Sequence, residues 1–228
     1  MSTSTLVERA ALFVKEQLKT NDASHDWYHI ERVWKMARTL AQEENVATES
    51  MEIIDLAALL HDIDDWKYQS DNTNPTCRSK EFLQSENISS EKLERVMVIV
   101  DNIGFKDELD CNLQISHSVE FGCVQDADRL DGIGAIGIAR CFTYGGYKKH
   151  PHYDPEILPN HSITKEQYMV EKRPNTSINH FYEKLLKLRG MMKTNAGTRI
   201  AEERHAFMER FLDQFHKEIG GITIYSTS

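Results

Sequence analysis

The sequence predicts an all-α fold made of a bundle of helices. Apolar residues recur at three- and four-residue spacing over most of the chain, which is typical of amphipathic helices. Strand-like alternation is rare, and its best example is the stretch 115–124. The 228 residues contain no internal repeat, low-complexity tract or Gly/Ser-rich linker. We therefore expect one domain over residues 1–228.

The individual helices are predicted from hydrophobic spacing and capping residues. The first begins at Thr5, which forms a capping-box pattern with Glu8 ahead of a run of apolar residues. A second carries His29 and Leu40 on one apolar stripe and follows a turn-like stretch, 21–24. The remaining predicted helices, in chain order, are 49–61, 79–84, 90–103, 126–142, 178–192 and 198–219.

A long irregular segment separates the central helices from the C-terminal ones. Residues 144–174 hold four of the five prolines, and a plain connection between helices is rarely that long. We expect this segment to form a loop or lid, in which the adjacent Gly145 and Gly146 give flexibility. The chain thus divides into a core of about residues 20–142, a lid at 144–174 and C-terminal helices at 178–219.

Charge and cysteine content narrow the classes of protein. The chain has 27 Lys and Arg against 36 Asp and Glu, which gives a net charge of −9 with neutral histidines. An acidic chain has no general attraction for nucleic acid or an anionic membrane, and no apolar run approaches the roughly 20 residues that span a bilayer. No secretory signal is recognisable at the N-terminus. We expect free thiols in a reducing, cytoplasmic location, because the four cysteines are widely spaced: Cys77, Cys111, Cys123 and Cys141.

The pair His61-Asp62 ends the most apolar predicted helix, directly after five aliphatic residues, 56–60. An imidazole and a carboxylate at that point would be buried, which is costly unless a partner compensates them. A divalent cation is one such partner, because it accepts both a neutral histidine nitrogen and a carboxylate oxygen. The alternative is a histidine cation stabilised by the carboxyl end of the helix.

Two other regions carry matching residues. His29 lies on the buried stripe of the second helix, and Asp128 lies near the start of a helix rich in small residues. The ordered set resembles the HD-domain superfamily of metal-dependent phosphohydrolases, whose signature is H…HD…D. The flanking residues agree with it: His29-x-x-Arg32-Val33, Leu59-Leu60-His61-Asp62 and Asp126-Ala127-Asp128-Arg129-Leu130-Asp131. Residues 181–188 and 201–208 also resemble a branch of stand-alone domains, some of which are nucleotide pyrophosphatases.

The resemblance implies an HD-domain helical bundle that holds one divalent metal ion through His29, His61, Asp62 and Asp128. The mixed nitrogen and oxygen ligands suit manganese, which we favour, and also Co, Ni, Fe or Zn, while an all-oxygen cage is more typical of magnesium. The implied reaction is hydrolysis of a nucleoside or deoxynucleoside triphosphate to the monophosphate and pyrophosphate.

Two alternatives to this reaction stay open. One is a nucleoside 5'-monophosphate phosphatase, and the other is a non-catalytic module that binds metal and nucleotide. In each case the partner is a small-molecule nucleotide, and a homodimer is compatible with the sequence.

Asp65 is the candidate for general acid/base chemistry. Related nucleotidases and guanosine-polyphosphate hydrolases commonly carry a glutamate three residues after the metal-binding aspartate, and Asp65 stands at that distance from Asp62. The polyphosphate hydrolases often have a second acidic residue next, where this chain has Trp66, which argues against that substrate. A solvated helix exit is the alternative for Asp64 and Asp65.

Three residues are candidates for supporting the metal ligands. His25 and Asp26 precede His29 by about one helical turn, where they can hold it in place, and the alternative for Asp26 is an N-cap of the helix. Asp131 lies three residues beyond Asp128 on the same face of its helix. It either orients a ligand or pairs with an arginine.

A phosphate chain needs positive charge that the metal alone does not supply in an acidic protein. Lys184 and Lys187 share a predicted helix face at i, i+3 spacing and are candidate substrate contacts, together with Arg32. Ion pairs along the helix, such as Glu183 with Lys187, are the alternative. The glycines of 132–137 match G-x-G-x-x-G, but the acidic stretch before them does not suit the strand of a dinucleotide fold, so we expect close helix packing there.

Overall fold

The architecture is built from helices. The computed structural model describes residues 4–64, 77–105, 118–162, 164, 165, 167 and 174–220. Within these residues no strand occurs, and the α-helices are α1 (Leu6–Gln17), α2 (Trp27–Glu43), α3 (Met51–Leu60), α4 (Arg78–Ser85), α5 (Ser90–Asn102), α6 (Val119–Asp131), α7 (Gly134–Tyr147), α8 (Ser177–Glu183) and α9 (Asn195–Glu218). Two 3₁₀ helices, Thr48–Ser50 and Leu185–Met191, precede α3 and follow α8. The predicted all-α class is confirmed.

Side-chain caps fix where several helices begin. Thr5 forms the predicted capping box, because its hydroxyl accepts from the Glu8 N–H while the Glu8 carboxylate accepts from the Thr5 N–H. Each such cap satisfies a backbone donor that the helix itself leaves unpaired. The same kind of N-cap hydrogen bond begins α2, α5, α6, α8 and α9, at Asp26, Ser89, Ser118, Thr176 and Thr194.

Helix α6 lies at the centre of the bundle. Almost all of its residues are buried, including the polar Gln125 and Asp126. Helices α2, α3, α5, α7 and α9 all pack against it. Side chains that project from α6 therefore meet side chains from several other helices, and this is the setting of the candidate site.

The stretch 115–124, which is the best strand-like alternation in the sequence, is helical from Val119 onward. A helix buried on all sides lacks the polar face that gives an amphipathic helix its period. Its apolar run then looks like that of a buried strand, and sequence periodicity alone does not distinguish the two.

The small-residue stretch predicted as one helix over 126–142 forms two helices. Helix α6 ends at Asp131 and α7 begins at Gly134, whose φ of 73° is a left-handed conformation that glycine adopts without strain. A side chain at Gly137 would collide with the carbonyl oxygen of Gly132. The glycines thus allow α6 and α7 to approach each other closely, as expected. The element before them is a helix and not the strand that a dinucleotide fold would need.

The C-terminal region also departs from the prediction. The helix expected at 178–192 is broken, because α8 ends at Glu183 and Lys184 takes a φ of −136° and a ψ of −62°, after which the chain continues as a 3₁₀ helix. The helix expected at 198–219 is α9, which begins at Asn195. The expected lid is shorter than predicted, since residues 144–147 complete α7. Residues 148–162 form turns and irregular structure, and most of 163–173 lies outside the described residues.

Three cysteines lie in the described part of the chain, and all three are free thiols as expected: Cys77, Cys123 and Cys141. Burial raises the pKa of Cys123 and of Cys141 to about 12, so these two thiols stay protonated and unreactive. Cys111 lies outside the described residues. Among the helices that the structure describes, none is both long and apolar enough to cross a membrane.

Gly137→Ala is expected to destabilise the protein by about 1–3 kcal/mol, because the added methyl group collides with the Gly132 carbonyl between α6 and α7. Gly146→Ala is the matched control in the last turn of the same helix, where a methyl group meets nothing within 4 Å. Alanine there should leave stability unchanged or raise it by about 0.5–1 kcal/mol. Urea denaturation followed by circular dichroism measures both variants, and equal effects would contradict the close packing.

Candidate metal centre

Four polar side chains from three neighbouring helices converge at one enclosed point, and they are the four predicted ligands. His29 lies in the first turn of α2, His61 and Asp62 directly follow α3, and Asp128 lies on α6. The His29 Nε2 atom is 3.3 Å from Asp62 Oδ2 and 3.5 Å from Asp128 Oδ1. The His61 Nε2 atom is 3.7 Å from one oxygen of each carboxylate. Ligand atoms about 2.1 Å from a shared ion lie roughly 3.0–3.5 Å apart, so the spacing suits one metal ion.

Three of the converging atoms have no hydrogen-bond partner in the described part of the chain. They are His29 Nε2, His61 Nε2 and Asp62 Oδ2, and all three are buried. A buried polar atom without a partner costs about 1–3 kcal/mol. A single cation satisfies all three at once, and divalent transition metals accept a donor set of two imidazoles and two carboxylates. The residues present therefore fit a bound metal ion.

Each of the two histidines is oriented by a hydrogen bond at its other ring nitrogen. His61 Nδ1 donates to the carbonyl oxygen of Ala58, one turn earlier in α3, at 2.9 Å. His29 Nδ1 donates to Asp131 Oδ2 at 2.7 Å. In the neutral form of each ring, a proton on Nδ1 leaves the Nε2 lone pair directed at the centre, and metal-binding histidines usually have such a second partner.

Asp131 is the carboxylate behind the centre, and it serves three donor side chains. Besides His29, it accepts two hydrogen bonds from Arg32, at 2.7 and 3.0 Å, and it pairs with Arg140 Nη1 at 3.1 Å. Burial by itself would raise the pKa of Asp131, but these partners lower it to about 2. Of the two roles that the sequence left open for Asp131, pairing with an arginine is observed, and its hydrogen bond to His29 is the contact that orienting a ligand would need. A substrate contact by Arg32 stays a prediction.

Arg140 is a supporting residue that the sequence analysis missed. It is the one charged residue in α7, between small and apolar neighbours, and that isolated charge was the only signal in the sequence. Its Nε atom donates to the carbonyl oxygen of Ser24 at 2.7 Å. Arg140 therefore joins the segment before α2 to the carboxylate of Asp131.

Burial and charge oppose each other in the centre. Burial by itself would lower the pKa of His61, but the carboxylates of Asp62 and Asp128 raise it to about 9. Burial would raise the pKa of Asp62 and of Asp128, but His61 and His29 hold both below the usual range of an aspartate. The carboxylates of Asp62 and Asp128, which are partly buried, are thus stabilised by positive charge beside them, and a divalent cation supplies such charge.

Asp26 and His25 support the centre from the start of α2. Asp26 is the N-cap, and its Oδ1 accepts from the His29 N–H at 3.0 Å, which fixes the turn that carries His29. The alternative that the sequence left open for Asp26 is therefore the one observed. His25 lies edge-on to the His29 ring, with the ring centroids 6.0 Å apart. Its Nδ1 hydrogen-bonds to Ser24 Oγ at 2.7 Å, and Ser24 Oγ donates to Asp22 Oδ1 at 2.5 Å.

Two acidic residues, Asp64 and Asp65, follow the predicted ligands, and of the two the structure describes Asp64. Asp65 lies outside the described residues, so its acid/base role stays a prediction. Asp64 caps the start of α4: its Oδ1 accepts from the Arg78 N–H at 3.1 Å and its Oδ2 from the Ser79 N–H at 3.0 Å. The alternative that the sequence left open for Asp64, a solvated helix exit, is not the one observed, because Asp64 ties the segment after α3 to α4.

The lysines predicted to bind phosphate contact other groups of the chain. Helix α8 ends just before Lys184, so the two lysines lie at the start of the 3₁₀ segment and not on one continuous α-helix. Lys184 Nζ lies 5.3 Å from the ring centroid of Phe105, and Lys187 Nζ donates to the carbonyl oxygen of His161 at 2.7 Å. Burial lowers the pKa of Lys187. Phosphate binding by these two lysines stays a prediction.

Comparison with known proteins gives matches over nearly the whole chain. The model of the HD domain matches residues 26–133. YpgQ of Bacillus subtilis is 33% identical over 94% of this chain and 94% of its own length. The crystal structure of YpgQ in complex with ADP superposes with a TM-score of 0.71 and 31% identity, covering 95% of this chain and 99% of that one.

Two other solved structures agree. A Lactobacillus plantarum protein superposes with a TM-score of 0.81 and 35% identity over 96% of this chain and 98% of that one. An HD-superfamily hydrolase from Bacillus thuringiensis superposes with a TM-score of 0.66 and 40% identity over 93% of this chain and 95% of that one. With the residues of the H…HD…D signature gathered at one enclosed centre, the chain belongs to the HD-domain family of hydrolases.

Proposed function

We propose that this protein is a metal-dependent phosphohydrolase that cleaves a nucleoside triphosphate to the monophosphate and pyrophosphate. The observation that carries the proposal is the cluster of buried, unpaired ligand atoms on His29, His61 and Asp62, with Asp128 beside them. Membership of a hydrolase family supports hydrolysis as the reaction. YpgQ, which is similar over nearly its whole length, has been crystallised in complex with ADP, and this supports a nucleotide as the substrate.

The proposed metal is manganese, since two imidazoles and two carboxylates form a ligand set that this ion accepts. Cobalt, nickel, iron, zinc and magnesium are the alternatives. A divalent cation held by His29, His61, Asp62 and Asp128 would polarise a phosphoryl oxygen and lower the pKa of a bound water.

The chain's own residues have separate tasks in this reaction. Asp131 and Ala58 hold the imidazoles of His29 and His61 in the orientation that directs both Nε2 atoms inward. Asp65 is the proposed acceptor of the proton that the water loses as its oxygen bonds to the α-phosphorus. The bond from the α-phosphorus to the bridging oxygen breaks, and pyrophosphate leaves with that electron pair.

Product analysis tests the reaction directly. The Mn²⁺-loaded protein should convert a nucleoside triphosphate to the monophosphate, and orthophosphate should be detected by malachite green only after inorganic pyrophosphatase is added. His61→Ala, which lacks a metal ligand, is the control for contaminating activity. Orthophosphate released from a monophosphate without pyrophosphatase would support the 5'-phosphatase instead, and binding without multiple turnover would support the non-catalytic module.

Loss of any one ligand should remove metal and activity together, because four ligands around one ion act as a unit. Asp131→Asn leaves all four ligands in place but weakens the partner of His29, so metal affinity should fall about 10–100-fold. Elemental analysis and metal titration measure these effects, with circular dichroism as the check on folding. Near-wild-type metal content in any two of the ligand variants would contradict the ligand assignment. The four ligand variants are His29→Ala, His61→Ala, Asp62→Ala and Asp128→Ala.

Asp65→Asn tests a role in catalysis, and Asp64→Ala tests a role in stability at the neighbouring position. Asp65→Asn removes the proton-accepting charge, so turnover should fall by about 10²–10⁴ while metal content is unchanged. Asp64→Ala removes the cap on α4, so stability should fall by about 0.5–2 kcal/mol while the folded protein keeps its turnover. Loss of metal in Asp65→Asn would make Asp65 a ligand, and unchanged turnover would exclude it as the acid/base group.

A further inference from the structure

One face of α7 runs outward from the metal centre to the protein surface. Arg140, Tyr144 and Tyr147 follow one another at spacings of four and three residues, which places them on the same side of the helix. At the inner end, the largely buried Arg140 side chain pairs with Asp131. At the outer end, Tyr147 is 54% exposed. The face therefore begins behind the metal ligands and ends in solvent.

A continuous series of ring contacts joins this face to a metal ligand. The ring centroids of His29 and His25 are 6.0 Å apart, and those of His25 and Tyr144 are 5.9 Å apart. The Tyr144 and Tyr147 centroids are 6.5 Å apart. These spacings are typical of aromatic pairs in contact. The series therefore connects the buried ring of His29 to the exposed ring of Tyr147.

Lys148 adds a positive charge to the same surface. Its Nζ atom lies 5.9 Å from the ring centroid of Tyr144 and 5.7 Å from that of Tyr147. An aromatic ring offers a stacking face to any nucleobase, and an ammonium group pairs with phosphate. The three residues thus combine the two chemical groups that a nucleotide needs, at the edge of a site that already holds a metal-binding cluster.

We propose that Tyr144, Tyr147 and Lys148 form the nucleoside platform of the substrate site. The base stacks on the ring of Tyr147, and the ammonium group of Lys148 contacts the phosphate chain. This inference rests on the proposed function, because it takes the ligand to be a nucleotide whose phosphates reach the metal centre. It adds a phosphate-binding cation at the end of α7 to the candidates predicted from the sequence, which are Lys184, Lys187 and Arg32.

ADP and inorganic pyrophosphate test the platform, because both carry two phosphates and only ADP carries a nucleoside. Isothermal titration calorimetry measures the binding of each to the Mn²⁺-loaded protein. Tyr147→Leu should weaken ADP binding about 5- to 50-fold, as the loss of one base–aromatic stack does, and should leave pyrophosphate binding unchanged. Lys148→Gln should weaken the binding of both ligands by a similar factor of about 10 or more.

Two further variants control for general effects of the substitutions. Tyr147→Phe restores the ring and should recover the ADP affinity that Tyr147→Leu loses. Phe207→Leu alters a comparable pair on α9, where a ring that is 42% exposed has the Arg210 guanidinium 5.7 Å from its centroid, and it should leave both affinities unchanged. If Tyr147→Leu weakens neither ligand, or weakens both equally, the platform is overturned.

These affinities do not depend on turnover, so the experiments can overturn one proposal and leave the other standing. If the wild-type protein binds ADP but hydrolyses no nucleotide, the proposed function fails and the comparison at Tyr147 still decides the platform. If the protein hydrolyses triphosphates and Tyr147→Leu binds ADP normally, the platform fails and the function stands. Absence of ADP binding in the wild-type protein overturns the platform.

Discussion

The candidate metal centre depends on the hydrogen bonds and ion pairs that the buried carboxylate of Asp131 makes. It accepts hydrogen bonds from His29 and Arg32 on α2 and pairs with Arg140 on α7, while its own backbone belongs to α6. Taking a charge out of water costs several kcal/mol, and this arrangement offsets that cost with opposite charges and hydrogen bonds. These contacts hold α2, α6 and α7 in fixed positions relative to one another. The hydrogen bond to Asp131 orients the His29 ring. Arg140, through the Ser24 carbonyl oxygen, holds the segment before α2 in position.

Three aspartates in one short stretch of α6 have three different roles. Asp126 accepts from the backbone N–H groups of Lys193 and Thr194 and from the Thr194 hydroxyl, so it anchors the start of α9. Asp128 faces the metal centre, and Asp131 lies one turn later beside it. Because successive residues of a helix point in different directions, one acidic stretch on a central helix both organises the bundle and builds the site.

The sequence predicted those features whose signal is local. Amphipathic spacing located α2, and the Thr5 and Asp26 caps follow from residue types within one turn of each helix start. The prediction failed at α6, because a helix surrounded by other helices has no polar face to reveal its period. It also failed at Lys184, where the helix breaks without a glycine or proline to announce the break. The order of His29, His61, Asp62 and Asp128 predicted which residues meet, whereas the contacts of Arg140 arise only from the packing of α7 on its neighbours.

The cap that Asp64 places on α4 bears on how proteins of this kind diverge. The chain leaves that point at Asp64 and returns to it at Arg78 and Ser79, which hydrogen-bond to the Asp64 carboxylate. The entropy lost on closing a loop grows only slowly with its length. Because one carboxylate holds both ends of the intervening segment, a change in the number of its residues would leave Asp62, two residues before the cap, in position. Relatives are thus free to differ in length and sequence between Asp65 and Cys77 while the four converging side chains are inherited unchanged.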